Sequence, residues 1–136
     1  MADCIFCKII AGEIPSSKVY EDDQVVAFLD ISQVTPGHTL VIPKKHARNL
    51  LEMTPDETAD LFNVVSTVTK KVESATQPQG MNIISNMEEI AGQSVFHTHV
   101  HILPRYSQDD DLKIDFIAHE PDFNHLAQLA KDISNH

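Results

Sequence analysis

Three histidines recur at every second position late in the chain, within QSVFHTHVHILPR: His97, His99 and His101. Residues two apart share one face of a β-strand, so a strand here would present a row of imidazoles. The residues between them are β-formers that would make the opposite face mainly apolar: Thr98, Val100 and Ile102. The pattern therefore predicts a strand with chemistry on one face and packing on the other.

Two kinds of chemistry suit such a row. Two histidines at i and i+2 can bind one metal ion, but the first and last of three lie about 13 Å apart along a strand, so one ion cannot readily take all three. Alternatively, a histidine that is largely uncharged at neutral pH can attack phosphorus and form an adduct that water later breaks. The middle residue, His99, suits that second role, since neighbours on both sides can orient it or pass protons. Gln93 and Ser94 just upstream can donate hydrogen bonds to phosphoryl oxygens.

The elements that must position these residues follow from local patterns. Short β-forming runs predict five strands, at 17–20, 24–30, 39–42, 81–85 and 98–103. A long helix begins at TPDE, where Thr54 is the N-cap and Glu57 completes a capping box. Its predicted apolar stripe is Leu61, Phe62, Val65, Val68 and Val72. A short helical segment at the N-terminus and an amphipathic helix after Pro121 complete an α+β domain with a mainly antiparallel five-stranded sheet.

Composition narrows the function classes. The chain of 136 residues suits one domain, spanning 1–136, and its net charge of −10 is unlike that of a nonspecific nucleic-acid binder. No apolar run approaches the roughly 20 residues of a membrane span. The N-terminus lacks the basic and apolar regions of a signal peptide, which favours the cytoplasm. There the two cysteines are expected as thiols or metal ligands rather than a disulfide.

The stretch QSVFHTHVHILPR matches the histidine-triad pattern His-φ-His-φ-His-φ-φ, in which φ is apolar, except that Thr98 fills one φ position. Three further blocks, CIFCKIIAGEIP, AFLDIS and HTLVIPKKH, are similar to successive blocks of the histidine triad nucleotide-binding branch. On these residues the chain is identified as a member of the histidine triad (HIT) family, with residues 107–136 as a family-variable tail. The resemblance implies a HIT-like fold, a nucleotide hydrolase or transferase, and a homodimer whose sheets join at the interface.

The resemblance also implies roles for individual residues. His99 would be the nucleophile that takes a nucleoside monophosphoryl group, and His101 and His38 would support it. Asp30 would accept hydrogen bonds from the ribose hydroxyls, or else serve as a turn residue. The residues expected at the phosphate or leaving group are Gln93 and Ser94, with Asn86 nearby. The base pocket would be walled by apolar residues whose alternative role is core packing: Ile5, Phe6, Ile9, Phe28 and Ile31.

Cys4 and Cys7 form a C-x-x-C pair, which alone indicates free thiols or half of a tetrahedral zinc site, and less readily a redox pair because no thioredoxin-like βαβ pattern surrounds it. The candidates for the other two ligands are His46 and His97. Metal-bearing triad proteins are similar here, and this resemblance implies a structural Zn²⁺ bound by Cys4, Cys7, His46 and His97. The leading triad histidine would then be structural and the middle one chemical.

Two departures from the family pattern leave the leaving group open. NMEEIAGQS carries Met87, Glu88 and Glu89 where relatives often have smaller, glycine-containing sequence. LPR after the triad resembles the dinucleoside-polyphosphate branch, whereas the N-terminal blocks resemble the phosphoramidate branch. We therefore expect a zinc-containing hydrolase of nucleoside 5′-phosphoramidates, with an AMP-type purine nucleotide substrate and no nucleic-acid or membrane partner. The alternatives are a dinucleoside polyphosphate hydrolase, a zinc hydrolase that uses the triad as its metal site, and a nucleotide-binding module with little turnover.

Overall fold

The computed structural model describes residues 3–136. Five antiparallel strands form one sheet in the order β1-β2-β3-β5-β4. The strands are β1 (Lys18–Glu21), β2 (Val25–Leu29), β3 (Thr39–Pro43), β4 (Gly80–Ile84) and β5 (Val100–Arg105). The helices are α1 (Ile5–Ile10), α2 (Pro55–Thr76) and α3 (Phe123–Ser134). The α+β class and the five-stranded antiparallel sheet predicted from sequence are confirmed.

The triad strand begins later than its sequence pattern predicts. β5 starts at Val100, so His97 and His99 precede it. The reason is that the Thr98 N–H, 2.8 Å from the Ala47 carbonyl oxygen, bonds to the segment after β3 instead of continuing the ladder. The expected alternation of faces still holds, because Thr98, Val100 and Ile102 are buried on the opposite side.

The long helix α2 covers one face of the sheet. Its N-terminus has the predicted capping box, with Thr54 accepting from the Glu57 N–H and Glu57 accepting from the Thr54 N–H. The predicted apolar stripe is wrong at Phe62, which is 38% exposed. It lies about 100° around the helix from Leu61, which is enough to turn it outward. The inward-facing residues are Leu61, Val64, Val65, Val68 and Val72.

The opposite face of the sheet carries the histidines. His101 is opposite Leu40 in the β3–β5 ladder, and Leu40 belongs to a second core cluster beneath α1. That cluster contains Phe6, Ile9, Val26, Phe28, Leu40 and Ile42. The histidine row therefore lies beside α1, on the sheet face away from α2.

The C-terminal segment does not pack into the core formed by the sheet and α2. Every residue from Lys113 to His136 is exposed, and no residue of α3 is buried. The large apolar residues of α3 are Phe123, Leu126, Leu129 and Ile133, and they are 43–76% exposed. None of the helices within residues 3–136 combines the length and apolar character needed to cross a bilayer.

Candidate functional site

His99 is buried at 6% exposure, just before β5. Its Nδ1 lies 2.8 Å from the carbonyl oxygen of His97, which can only accept a hydrogen bond. The ring therefore carries its proton on Nδ1 and leaves the Nε2 lone pair free. The edge-to-face contact with Phe6, at 5.1 Å between ring centroids, supports the other side of the imidazole. A neutral, oriented imidazole with a free Nε2 is the arrangement that a histidine nucleophile requires.

His38 and His101 form a directed hydrogen-bonded pair. The Val34 N–H donates to Nδ1 of His38 at 3.3 Å, so His38 carries its proton on Nε2. That Nε2–H donates to Nδ1 of His101 at 2.9 Å, which places the His101 proton on its own Nε2. A carboxylate oxygen of Asp30 lies 3.7 Å from Nε2 of His38. The ring of His101 is 4.9 Å from that of His99 between centroids, so His101 is an immediate neighbour of the proposed nucleophile.

Burial governs the charge of these rings. It lowers the pKa of His38 and of His99 below the ordinary histidine value. The pKa of His101 falls to about 4, through burial and through the neighbouring His99 and His38. All three imidazoles are therefore mainly neutral at pH 7 in the substrate-free protein, the state in which His99 can attack.

A cleft of about 240 Å³ opens beside α1. The residues expected at the base and ribose all line it: Ile5, Phe6, Ile9, Phe28, Ile31 and Asp30. They divide into a floor and a rim, because Phe6, Ile9 and Phe28 are buried whereas Ile5 is 46% and Ile31 is 99% exposed. The structure thus brings the predicted apolar wall and Asp30 together in one concave surface.

The residues expected at the phosphate lie on the loop between β4 and β5, in different environments. The side chain of Ser94 is exposed, and the Asn86 amide donates to the Gly92 carbonyl oxygen at 3.4 Å. Gln93 is only 2% exposed, and both of its amide N–H groups are engaged within the protein. They donate to the carbonyl oxygens of Arg48, at 2.6 Å, and Val95, at 3.1 Å. In this structure Gln93 is therefore a residue that fixes the loop.

Sequence reasoning missed two polar residues that organise the site. Gln33 donates to the carbonyl oxygens of Asp30 and His38 and accepts from the Gly37 N–H, so it holds the turn between them. Asn49 is 3% exposed and donates to Glu88 at 2.9 Å. Neither residue stands in a repeating pattern, so composition and spacing carry no signal for them.

Four ligand atoms, from Cys4, Cys7, His46 and His97, lie within 4.8 Å of one another. Nδ1 of His97 is 3.4 Å from the Cys4 sulfur, 3.6 Å from the Cys7 sulfur and 3.2 Å from Nδ1 of His46. Tetrahedral zinc with its usual bond lengths sets neighbouring ligand atoms about 3.3–3.8 Å apart. The spacing of this donor set therefore fits a four-coordinate zinc ion.

The surroundings of the four ligands fit a metal as well. Nε2 of His97 lies 2.8 Å from the Pro43 carbonyl oxygen and donates to it, which leaves Nδ1 as the ligand nitrogen. Burial and the adjacent Cys4 raise the pKa of the Cys7 thiol to about 11. A bound dication would reverse that effect and hold the thiolates. A second set of possible ligands, Asp30, His38 and His101, is separate from the first, so His97 and His101 belong to different clusters and His99 belongs to neither.

Comparison with known proteins finds similarity to HIT proteins. Residues 11–108 match the HIT domain model. The chain is 51% identical over 121 residues to Protein hit of Bacillus subtilis, covering 89% of this chain and 83% of that protein. It is 37% identical over 132 residues to adenosine 5′-monophosphoramidase hnt1 of Schizosaccharomyces pombe, covering 97% and 96%. It is 42% identical over 107 residues to adenylylsulfatase HINT3 of Arabidopsis thaliana, covering 79% and 54%. The chain belongs to the HIT domain family.

Solved structures agree with this assignment. The crystal structure of SMU.412c from Streptococcus mutans is 58% identical, with a TM-score of 0.95 over 99% of this chain and 85% of that one. A zinc-bound histidine triad family protein from Mycobacterium smegmatis is 34% identical, with a TM-score of 0.75 over 96% of this chain and 98% of that one. The family and the HIT fold predicted from sequence are thus confirmed.

Proposed function

We propose that this protein hydrolyses nucleoside 5′-phosphoramidates through a nucleotidyl adduct on His99. The observation that carries the proposal is the bond between Nδ1 of His99 and the His97 carbonyl oxygen, because it leaves Nε2 free beside a proton-donating His101. The cleft holding Asp30 and the buried apolar floor next to α1 supports a nucleoside as the bound group. The name of the fission-yeast relative supports adenosine as that nucleoside and an amine as the leaving group.

The reaction proceeds in two displacements at phosphorus. Nε2 of His99 attacks the α-phosphorus, the new N–P bond forms, and the bond to the leaving nitrogen breaks. That nitrogen takes a proton from Nε2 of His101 in its imidazolium form, which the bound phosphoryl anion and the nearby Asp30 carboxylate favour. Water then attacks phosphorus, the His99–phosphorus bond breaks, and the water proton returns to His101. Overall, one water supplies a hydroxyl to the nucleotide and a hydrogen to the amine.

The remaining polar groups hold the substrate in this scheme. Asp30 accepts hydrogen bonds from the ribose, while Ser94 and Asn86 donate to the phosphoryl oxygens as charge develops. The apolar floor contributes ground-state binding of the base and takes no part in the chemistry. Binding and bond making are therefore assigned to different residues.

We propose in addition a structural zinc ion at Cys4, Cys7, His46 and His97. Four protein ligands close the coordination sphere, so the ion would stabilise the fold and leave catalysis to the histidines. The ion would join the N-terminal segment to the residues just before β5. The donor spacing and the zinc-bound mycobacterial relative support this assignment.

We propose a homodimer as the assembled state. β4 is an edge strand, and unpaired strand edges favour pairing with another chain. The apolar side of α3 is exposed on its own subunit, yet the match to the S. mutans crystal structure extends over 99% of the chain. A second copy of the chain is therefore the proposed support for α3.

A turnover comparison tests the activity. Purified protein is assayed with an adenosine phosphoramidate, adenylylsulfate and a diadenosine polyphosphate, each with and without chelator. The proposal expects the phosphoramidate to have the highest kcat/KM. A preference for the polyphosphate would instead favour dinucleoside cleavage. Turnover lost at once on chelation, with the fold intact, would favour a metal hydrolase. AMP binding without turnover of any substrate would favour a binding module.

A further inference from the structure

The loop between β4 and β5 has no apolar anchor at its centre. Ile90 is 100% exposed and Met87 is 37% exposed. The two side chains proposed to meet the phosphoryl group, Asn86 and Ser94, lie on either side of this exposed stretch. A segment with few buried apolar contacts opens easily unless polar bonds restrain it.

Glu88 lies in this loop with a backbone conformation that glycine normally occupies. Its φ is 75° and its ψ is 160°, a region in which a side chain is strained. Such a conformation persists only where the surrounding contacts over-determine it. A glutamate here consequently implies that its side chain makes bonds that glycine could not.

Those bonds are present. The Glu88 carboxylate accepts two hydrogen bonds from the Arg48 guanidinium, at 2.7 and 2.8 Å, and one from the Asn49 amide at 2.9 Å. The Glu88 N–H donates to the side-chain oxygen of Gln93 at 2.8 Å, and the Gln93 N–H donates to the Glu88 carbonyl oxygen at 3.1 Å. Glu88 is therefore held through both its side chain and its main chain.

Arg48, which binds the Glu88 carboxylate, is itself held in place. The Arg48 guanidinium stacks 4.2 Å from the centre of the Phe96 ring. One residue earlier, the Ala47 carbonyl oxygen accepts from both the N–H and the hydroxyl of Thr98, next to His99. The network thus links the exposed loop to the stretch that carries the nucleophile.

We propose that Glu88 is a positioning residue, which holds Asn86 and Ser94 in register with the Nε2 of His99. This inference rests on the proposed function. Glu88 does not contact substrate. It acts through Arg48, Asn49 and Gln93, so its loss should lower kcat by misplacing the donors around phosphorus. AMP affinity should change little, because the cleft floor and Asp30 belong to α1, β2 and the following turn.

The test compares Glu88→Ala, Glu88→Gln, Glu88→Gly and Arg48→Ala with the double variant Glu88→Ala/Arg48→Ala. Glu21→Gln is the matched control, since Glu21 is also a half-exposed, ion-paired carboxylate but lies on β1, at the far edge of the sheet. We expect Glu88→Ala to lower kcat about tenfold or more, with the AMP dissociation constant within about twofold. Glu88→Gln, which can still accept from Arg48 and Asn49, should recover part of that loss. The double variant should lose no more kcat than the worse single variant, because both substitutions remove the same contact between Glu88 and Arg48.

Glu88→Gly separates positioning from stability. Glycine tolerates the positive φ but lacks the carboxylate that binds Arg48 and Asn49. The unfolding temperature of this variant should therefore match wild type, while kcat falls and amide exchange at residues 89–93 accelerates. A kcat within twofold of wild type in Glu88→Ala, or an equal fall in Glu21→Gln, would overturn the positioning role. So would additive losses in the double variant, or a fall in kcat matched by the fraction of unfolded protein. Absence of wild-type turnover would instead overturn the proposed function itself, and with it any role of Glu88 in turnover.

Discussion

Nε2 of His38 lies 2.9 Å from Nδ1 of His101, although 63 positions separate the two residues in sequence. The Val34 N–H fixes the tautomer of the first ring, and the first ring fixes the tautomer of the second. His101 therefore carries its proton on Nε2, and its ring lies 4.9 Å from the ring of His99 between centroids. The following predictions start from this pairing.

Replacing His101 should reduce turnover less than replacing His99. We expect His101→Ala to lower kcat with an adenosine phosphoramidate about 10²-fold, since water or His38 can partly replace a general acid. The deficit should shrink for a nucleotide whose leaving group departs without a proton. Equal deficits for both kinds of substrate would argue against proton donation by His101.

His99→Ala should abolish nucleotidyl transfer and leave AMP binding largely intact. Loss of a covalent nucleophile costs several orders of magnitude in rate, whereas the apolar floor and Asp30 supply the ground-state contact. Rapid acid-free quench of wild type, followed by mass spectrometry, should find an acid-labile nucleotide adduct on His99. An adduct on another residue, or turnover retained in His99→Ala, would contradict the covalent mechanism.

Metal analysis should find about one zinc per chain, the number that a single four-ligand cluster binds. Cys4→Ser should lower the unfolding temperature clearly and lower kcat per folded molecule only slightly, because the ion is proposed to join the N-terminal segment to the residues just before β5. Ser66→Ala on exposed α2 surface serves as the control. Metal-free protein that keeps its full unfolding temperature in chelator would remove the zinc proposal.

Light scattering at micromolar concentration should give the mass of a dimer. Placing a charge on the apolar side of α3, with Leu126→Asp and Leu129→Asp, should weaken that dimer. Gln128→Asp adds the same charge to the same helix off that side and should leave the mass unchanged. A wild-type monomer would contradict the proposed dimer. A dimer that persists in Leu126→Asp and Leu129→Asp would contradict the proposal that α3 packs against the second copy.

Stability should fall as the pH is lowered from about 6.5 to about 4, in part through His101. Its pKa is lowered to about 4 in the folded protein from the ordinary 6.5, so the unfolded chain binds the extra proton first. The stabilisation is complete above pH 6.5 and is lost as the pH falls through this window, with a slope of at most about 1.4 kcal/mol per pH unit from this residue. The free energy of unfolding of His101→Asn should show a shallower slope than wild type. The exposed-residue variant His119→Asn should keep the wild-type slope, and identical slopes in all three proteins would contradict the assignment.

Local sequence patterns were sufficient for the elements and for much of the site. The Thr54–Glu57 capping box, the five β-forming runs and the alternation around His99 act over a few residues, and each appears in the structure where the pattern placed it to within a residue or two. The complete set of four metal ligands and the cleft residues come from the resemblance to family blocks. The structure brings both groups together.

What the sequence alone determined, then, is which residue types are available and which strand or helix carries them. Tertiary structure alone decided how their polar atoms are used. Gln93 faces inward because Arg48, Asn49 and Glu88 surround its amide, and Glu88 keeps a strained backbone because the same neighbours hold its carboxylate. Arg48 and Asn49 lie 39 to 45 positions before Glu88 and Gln93 in the sequence, and hydrogen-bond direction depends on where folding brings these residues. Periodicity and local propensity describe neighbours in sequence, so they carry no information about such pairings.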